Sequence, residues 1–178
     1  MRIQFFRSNN QGCQSELAQQ SGFSLLEVLI ALLILAVGLL GLAALQNMGL
    51  RLNSQSYERT QATILIDDMI DRMRANSAGV TAGDYNAVVP VLTNTPPTAT
   101  NCETTACATT SAVASYDANR WISTIAGTAT QRAALAGGMG RITPAGNVAG
   151  GGLLFDVSVG WQEQNLPPNV QTVRVQLP

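Results

Sequence analysis

The hydrophobic positions of this chain change from a continuous to a periodic pattern within its first half. Val28–Leu45 is an uninterrupted run of 18 apolar residues, and about twenty such residues cross a bilayer as a helix. Residues 51–76 contain neither proline nor glycine, and apolar side chains recur there at helical spacing. We therefore predict a helical spine over 23–76, transmembrane over about 25–46 and amphipathic over about 50–76. The predicted apolar stripe of its second half comprises Ala62, Ile66, Met69, Ile70 and Met73.

This spine ends, by prediction, at Asn76-Ser77-Ala78-Gly79, where helix-stopping residues follow the last apolar position of the stripe. A membrane helix followed by a separate soluble helix is the alternative that the same pattern allows. The remaining residues, 77–178, are predicted to form an extracytoplasmic globular head with a loop and disulfide region and a C-terminal β-hairpin.

A pattern with a period of two marks the C-terminus. Apolar and polar residues alternate in Leu153–Trp161 and again in Val173–Leu177, which is typical of β-strands. Their connection, Gln162–Asn169, contains two prolines, so we predict an antiparallel hairpin, with Arg141-Ile142-Thr143 as a possible third strand. The apolar face of this sheet is predicted to pack on the stripe of the spine. The fold class is therefore α+β, with a long N-terminal α-helical spine packed against a small antiparallel β-sheet head.

The segment before the hairpin predicts loops and short helices. Residues 77–111 lack periodicity, and Pro90 restricts Val88–Leu92 to an edge position at most. Asp117 is predicted to cap a helix, and a second short helix is predicted over Gln131–Ala136. The first of these helices would carry core residues Trp121, Ile122 and Ile125. Trp121 and Trp161 are interpreted as core residues rather than as ligand contacts.

One acidic residue, Glu27, stands directly before the apolar run. A carboxylate at the edge of a membrane-length helix is costly in lipid, so its presence predicts a partner. Cleavage between Gly22 and Phe23 would make Glu27 the fifth residue of a new N-terminus. The free α-amine would then lie about one helical turn from a carboxylate of the same or a neighbouring subunit. This arrangement indicates an assembly function.

The segment Ser21-Gly22-Phe23-Ser24-Leu25-Leu26-Glu27 resembles the prepilin leader junction of type IV pilins and type II secretion pseudopilins. The resemblance implies that residues 1–22 are a cleaved leader, that a membrane peptidase cuts after Gly22, and that the same enzyme N-methylates Phe23. It also implies an assembly role for Glu27. The partners it implies are the prepilin peptidase/N-methyltransferase, other major and minor pilins, an inner-membrane assembly platform, and the lipid bilayer before assembly.

Three other classes of membrane segment fit this N-terminus less well. A secretory signal peptide has a shorter apolar core and a small-residue cleavage site; Ala43-Ala44 imitates that site, but the run is too long. A lipoprotein anchor at Cys13 would need an apolar segment where Asn9–Gly12 is polar. A signal-anchored enzyme or binding domain has no use for Glu27.

A narrower resemblance extends over most of the chain. Gly38–Gln46, Arg59–Ala62 and Asp71–Asn76 resemble parts of the PilV-type minor pilins, also called type IV pilus modification proteins. The order of the later features is similar too: paired cysteines come first, then Asp117 with Trp121, and then a Gly-Gly turn. This resemblance implies a minor pilin of a type IV pilus that helps initiate or modify assembly, with effects on adhesion and twitching motility. A minor pseudopilin of a type II secretion system, with a nearly identical spine, is the alternative.

Charge predicts the orientation of the chain in its membrane. Arg2 and Arg7 outnumber Glu16 in the leader, so the positive-inside tendency predicts a cytoplasmic N-terminus. The chain would be a single-pass protein of the bacterial inner membrane with a periplasmic head, later carried to the pilus at the cell surface. Beyond residue 22 there are eight arginines, ten acidic residues and no lysine. This near-neutral balance does not indicate nucleic-acid binding, which would require clustered basic residues.

Two cysteines are the candidate residues for a covalent cross-link or a metal site. Cys102 and Cys107 lie close together in a Thr-rich exported segment, where disulfides persist, so we predict a disulfide between them. A zinc site lacks ligands, because the chain has no histidine. Asp67, Asp68 and Asp71 imitate a metal cluster but are interpreted as the solvated face of a helix. No enzyme activity, metal or cofactor is predicted.

Overall fold

The computed structural model describes residues 22–148, 151–162 and 167–178. Its elements are α1 (Leu25–Ala75), α2 (Ser77–Ala82), α3 (Thr110–Ala126), β1 (Met139–Val148), β2 (Gly152–Trp161) and β3 (Asn169–Leu177). The strands pair antiparallel in the order β1-β2-β3, which confirms the predicted α+β fold class. The predicted leader, apart from Gly22, lies outside the described residues, and so does Cys13, the position of the rejected lipoprotein anchor.

The chain divides into two compact units, Met1–Met48 and Gly49–Pro178. The described part of the first unit consists of residues 22–24 and the N-terminal part of α1. The large apolar side chains of this described part are exposed, so it has no core of its own. The second unit contains the rest of α1 and all the other described elements, and it encloses the hydrophobic core.

The C-terminal part of α1 supplies one side of that core. All five residues of the predicted stripe are buried, together with Leu65. The indole Nε1 of Trp121 on α3 donates a hydrogen bond of 2.7 Å to the backbone oxygen of Leu65. The Leu65 oxygen lies inside α1, where helix geometry already gives it a partner in the following turn. The bond from Trp121 is therefore an additional bond between two helices, and it links α3 to α1.

The sheet supplies the other side of the core. Phe155, Val157, Val159 and Trp161 of β2 are buried, which confirms the face predicted from their alternation. The register pairs Phe155 with Val175 and Val157 with Val173, so the predicted hairpin is confirmed. The third strand is also confirmed, but β1 covers ten residues rather than three and its pairing shifts between Pro144 and Gly146.

The predicted cap of α3 is wrong. α3 begins at Thr110, and the side chain of Thr109 accepts a hydrogen bond of 3.1 Å from the N–H of Ala112. Asp117 lies inside the helix and is buried. Threonine and aspartate are both good capping residues. The side chain of Asp117 contacts Tyr85 and Arg72 instead of capping the helix, and the sequence did not reveal these partners.

The short helix predicted over Gln131–Ala136 is absent, and residues 127–138 form irregular backbone with bends and a turn at 136–137. The N–H groups of Ala134 and Leu135 donate to the carbonyl oxygens of Thr124 and Ile125 at the end of α3. These bonds satisfy the free carbonyls of a helix C-terminus, and they replace the bonds within the segment that a helix would need. Gly127 makes the turn at a φ of 78°, where an added Cβ would lie 2.6 Å from the nitrogen of Ala133.

Two features of residues 76–93 depart from the predicted loop. α1 ends at Ala75, one residue before the predicted end of the spine at 76. A six-residue helix, α2, follows directly, contains residues 77–79 of the predicted stop and buries Val80. Further along, a segment of irregular backbone lies along β1. Val89 accepts from the N–H of Ile142 at 2.8 Å, and Thr93 exchanges two hydrogen bonds with Gly140. This segment, 89–93, therefore covers part of the outer edge of β1.

Candidate functional site

The predicted cleavage junction lies just before α1. Gly22 to Ser24 are outside the helix, and Gly22 and Phe23 are exposed, Phe23 to 84%. Nothing lies within 4 Å of the position that a Cβ on Gly22 would occupy, so the fold of the described chain does not require glycine there. An enzyme could therefore reach the bond between these residues without unfolding the helix.

Glu27 occupies the first turn of α1. The Ser24 hydroxyl accepts a hydrogen bond of 3.3 Å from the N–H of Leu26, and the Ser24 carbonyl oxygen accepts from the N–H of Glu27 at 3.0 Å. Serine followed three residues later by glutamate is the sequence of a capping box. A negative charge here also faces the positive end of the helix dipole. The structure thus holds Glu27 one turn from Phe23, on a face that also carries Val28 and Leu35.

The apolar surface that follows Glu27 is uncovered. The large hydrophobic residues from Val28 to Leu45 are exposed by between 46% and 72% of their surface, far beyond the small apolar patches of ordinary soluble proteins. Within the described residues, α1 is long and apolar enough to cross a membrane, with a mean hydropathy of 3.0 in its most apolar window. This surface therefore needs lipid or neighbouring helices as its surroundings.

A buried polar cluster joins the end of α1 to α3. The Tyr85 hydroxyl donates a hydrogen bond of 2.9 Å to Asp117, and Asn76 donates to the Tyr85 oxygen at 3.1 Å. The guanidinium of Arg72 lies 3.5 Å from Asp117 and 3.0 Å from Asp68. Asp68 and Arg72 lie four residues apart on α1, the spacing at which opposite charges on a helix meet. Tyr85 was missed, because a lone tyrosine in a loop carries no sequence signal for burial.

Burial controls the ionisation of this cluster. It raises the pKa of the Asp117 carboxyl above its ordinary value, while the hydrogen bond from Tyr85 and the charge of Arg72 oppose the rise. Burial also raises the pKa of the Tyr85 hydroxyl strongly, against the hydrogen bond from Asn76, and the charge of Asp117 adds to the increase. Tyr85 is therefore held in its protonated, donating form.

Alkaline conditions should destabilise the head through Tyr85. Its pKa is higher folded than unfolded, so above about pH 10 the unfolded chain loses the proton first and is favoured. We expect the free energy of unfolding to fall by up to about 1.4 kcal/mol per pH unit there. The pKa of Tyr116 is also raised, chiefly by its hydrogen bond to Glu103, so Tyr116 adds to this slope. The chain has no lysine to titrate in the same range. Urea unfolding of the full chain in detergent, followed by tryptophan fluorescence from pH 8 to 11, measures this slope.

Tyr85→Phe should reduce that alkaline slope and leave the part that Tyr116 contributes. It should also lower stability at pH 8 by about 1–3 kcal/mol, because Asp117 loses a buried donor. The control is Tyr57→Phe, which removes the same hydroxyl from an exposed side chain and should keep the wild-type decline. An unchanged slope in the Tyr85 variant would contradict the assignment.

The two cysteines form the predicted disulfide. Cys102 and Cys107 are bonded, with their Cα atoms 5.2 Å apart. Within the loop that they close, the Glu103 carboxylate accepts a hydrogen bond of 2.6 Å from the Tyr116 hydroxyl and lies 3.5 Å from Arg120. The loop is therefore attached to the exposed side of α3 through one acidic side chain.

Reduction of this disulfide should have a small effect. The closed loop is short, so the chain-entropy argument gives a loss of about 2 kcal/mol. Urea unfolding of the full chain in detergent, with and without reductant, measures the difference. Cys102→Ser with Cys107→Ser should reproduce the reduced value without reductant, and a loss of more than about 4 kcal/mol would show that the bridge supports the core as well.

Two acidic residues of α1, Asp68 and Asp71, belong to ion pairs on the helix surface. Asp71 pairs with Arg74 at 2.9 Å, in addition to the pair between Asp68 and Arg72. Among the described residues, no group of three or more potential metal ligands is clustered. These contacts support the interpretation of the segment as a solvated helix face.

Two protein-family models match adjacent parts of the chain. A model of the prokaryotic N-terminal methylation motif matches residues 17–43, which contain the junction and the exposed apolar helix. A model described as type IV pilin Tt1218 matches residues 44–119. The chain is a type IV pilin-like prepilin. No curated protein and no solved structure matches it.

Membership of the pilin family explains the unusual first unit of the molecule. Pilins are structural proteins that are processed by a prepilin peptidase, and the methylation motif implies that processing here. A helix with an exposed apolar surface and one acidic residue in its first turn is suited to membrane anchoring and to assembly with other pilins.

Proposed function

We propose that this pilin is a minor pilin of a type IV pilus, which helps to initiate or modify assembly and thereby acts in adhesion and twitching motility. The position of Glu27 carries the proposal. This residue lies in the first turn of a helix whose apolar surface is exposed, one turn after an accessible Phe23. The resemblance of the chain to the PilV-type subfamily supports the assignment to minor pilins.

Before assembly, the apolar part of α1 spans the bacterial inner membrane, with the N-terminus in the cytoplasm and the head in the periplasm. The prepilin peptidase removes residues 1–22 and methylates the amine of Phe23. The assembly platform then moves the subunit from the bilayer into the filament, and the helix exchanges lipid for the helices of neighbouring pilins.

In that exchange, Glu27 neutralises the α-amine of a neighbouring subunit. Both charges leave water and lipid headgroups as the helix enters the apolar interior of the filament. A buried charge without a partner is strongly destabilising, whereas a paired one is tolerated. The pair therefore favours one axial position of the incoming subunit over positions that leave a carboxylate unpaired.

Mass spectrometry of sheared surface filaments and of membranes tests the proposal. The diagnostic peptide runs from Phe23 to Arg51 and carries an N-methyl group. We expect it in the filaments, together with loss of twitching after deletion. Its presence in membranes alone, with loss of protein export after deletion, would instead assign the chain to a type II secretion pseudopilus. An intact bond after Gly22 in both fractions would refute processing.

A matched variant separates processing from folding in this experiment. Gly22→Val adds a side chain where the described chain leaves open space, so it should keep the fold and the amount of protein in the membrane. Cleavage should be lost, because the resemblance places Gly22 in the peptidase's recognition site. Efficient cleavage of the variant would contradict that role.

A further inference from the structure

The two edges of the sheet differ in how far other backbone segments cover them. The outer edge of β1 is covered in part by segment 89–93 and carries the register shift near Pro144. β3 forms the other edge, and no described residue pairs with its outer side. Natural proteins protect such edges with prolines, bulges, lysines or very short strands. Over its nine residues, Asn169–Leu177, β3 has no proline, bulge or lysine. Its one charged residue, Arg174, is paired with Asp156 of β2.

The free edge of β3 offers a regular row of hydrogen-bonding groups. In an antiparallel pair, alternate residues direct their N–H and C=O groups away from the partner strand. Several side chains of β3 are exposed, among them Val170 at 49%. An extended polypeptide is the ligand that matches a row of donors and acceptors with the spacing of a strand.

An open pocket of about 410 Å³ lies where β3 begins, between this strand and α1. Arg59, Thr60 and Thr63 of α1 line one side, and Asn169 and Gln171 of β3 line the other. Trp161 closes it and is itself 4% exposed. Side chains of a strand added to β3 would alternate between the two faces of the sheet, so every second one would point to the side of α1 and this pocket.

The charge of the pocket selects the side chain that it accepts. Arg59 is exposed and forms no ion pair within the described part of the chain. Gln171 donates one amide N–H to the Thr63 hydroxyl at 2.8 Å, and the hydroxyls of Thr60 and Thr63 donate to backbone oxygens of α1. The Arg59 guanidinium is therefore the charged donor, beside the amides of Asn169 and Gln171. Arginine recognises carboxylates through two parallel hydrogen bonds, so an aspartate or a glutamate is the matching group.

We propose that the free edge of β3, together with this pocket, binds an extended strand of another exported protein that places an acidic side chain against Arg59. A second copy of this chain is the poorer occupant, because its own free-edge strand, Asn169–Leu177, contains no acidic residue. The proposal goes beyond the proposed function, since such an interface can serve a pilus or a pseudopilus.

Site-specific photo-crosslinking in cells tests this proposal with the full chain. A photoreactive amino acid replaces Val170 or Gln176, at the two ends of the edge, or Val91 as a control that is 65% exposed but not on β3. We expect adducts from both edge positions to one segment of another protein, at sites about six residues apart. The control should not label that segment. Adducts to this chain's own β3, to lipid only, or at unrelated sites of several proteins would overturn the proposal.

Charge reversal then tests the pocket. Arg59→Glu should lower the yield of these adducts by at least about ten-fold, which corresponds to about 1.4 kcal/mol. Arg132→Glu, the same change at another exposed arginine, should leave the yield unchanged. Replacing the acidic residue of the labelled segment with arginine should restore labelling of the Arg59 variant. Equal yields for the two variants would overturn the role of Arg59.

This test is independent of the proposed function. Processing and filament incorporation are followed by the methylated N-terminal peptide in the same cells. Loss of that peptide with intact β3 adducts would refute the pilus assignment and keep the interface. The reverse outcome would refute the interface alone.

Discussion

Trp121→Ala is expected to lower the free energy of unfolding of the head by about 3–5 kcal/mol. Trp121 is fully buried and packs in the core that α1, α3 and the sheet share. Its removal leaves a cavity and also deletes the hydrogen bond of 2.7 Å to the Leu65 oxygen. A domain of this size is only marginally stable, so the variant should accumulate at reduced levels. Urea unfolding of the full chain in detergent measures the change, with the fluorescence of Trp161 as the reporter.

Two further variants resolve the packing and hydrogen-bond contributions. Trp121→Phe keeps an aromatic ring but loses the indole donor, and it should cost less than the alanine variant. Arg120→Ala, at the exposed neighbouring position, removes an ion pair on the surface and should change stability by no more than about 1 kcal/mol. A cost below about 1 kcal/mol for Trp121→Ala would show that Trp121 does not hold α3 against α1.

Glu27→Ala is expected to reduce incorporation into filaments by about 100-fold or more, with cleavage after Gly22 largely intact. The removal of one member of a buried charge pair typically costs about 3–5 kcal/mol, because it leaves the amine of the neighbouring subunit without its partner. The measurement is the ratio of the methylated N-terminal peptide in sheared filaments to that in membranes, compared with the wild type.

Glu27→Gln is the matched variant for this prediction. Glutamine serves as well as glutamate at this position of a capping box, so it keeps the start of α1 while removing the charge. It should be incorporated as poorly as Glu27→Ala if charge neutralisation is the mechanism. Glu58→Gln alters another acidic residue of α1, outside the first turn, and should be incorporated normally. Wild-type incorporation of Glu27→Gln would refute the charge mechanism.

The interpretation of the head depends on contacts that local sequence signals do not report. Asp117 has the local features of a helix cap, but the hydroxyl of Tyr85, 32 positions away, holds it inside α3. Residues 131–136 have a composition compatible with helix, yet they donate to the end of α3 instead. In both cases the alternatives differ little in intrinsic propensity, so a few tertiary hydrogen bonds decide between them.

The edge of β3 shows the same limitation at the level of the proposed binding surface. Its residues alternate like those of any strand with one buried face. The sequence did not indicate which strand would lie at the edge, because strand order is a property of the whole sheet. The pocket beside Arg59 was missed for the same reason: its two walls lie more than 100 positions apart in the chain.

The sequence by itself determined the membrane-length helix, the pilin-type junction, the buried stripe on α1, the C-terminal hairpin and the disulfide. The junction was recognised by its resemblance to a family motif. The other features depend on patterns whose physics is local: hydrophobic spacing or two neighbouring cysteines. The tertiary structure alone decided the start of α3, the presence of α2, the buried environment of Tyr85 and Asp117, and the free edge with its pocket. Those features depend on which distant groups meet, because burial and pairing are set by the packed chain as a whole.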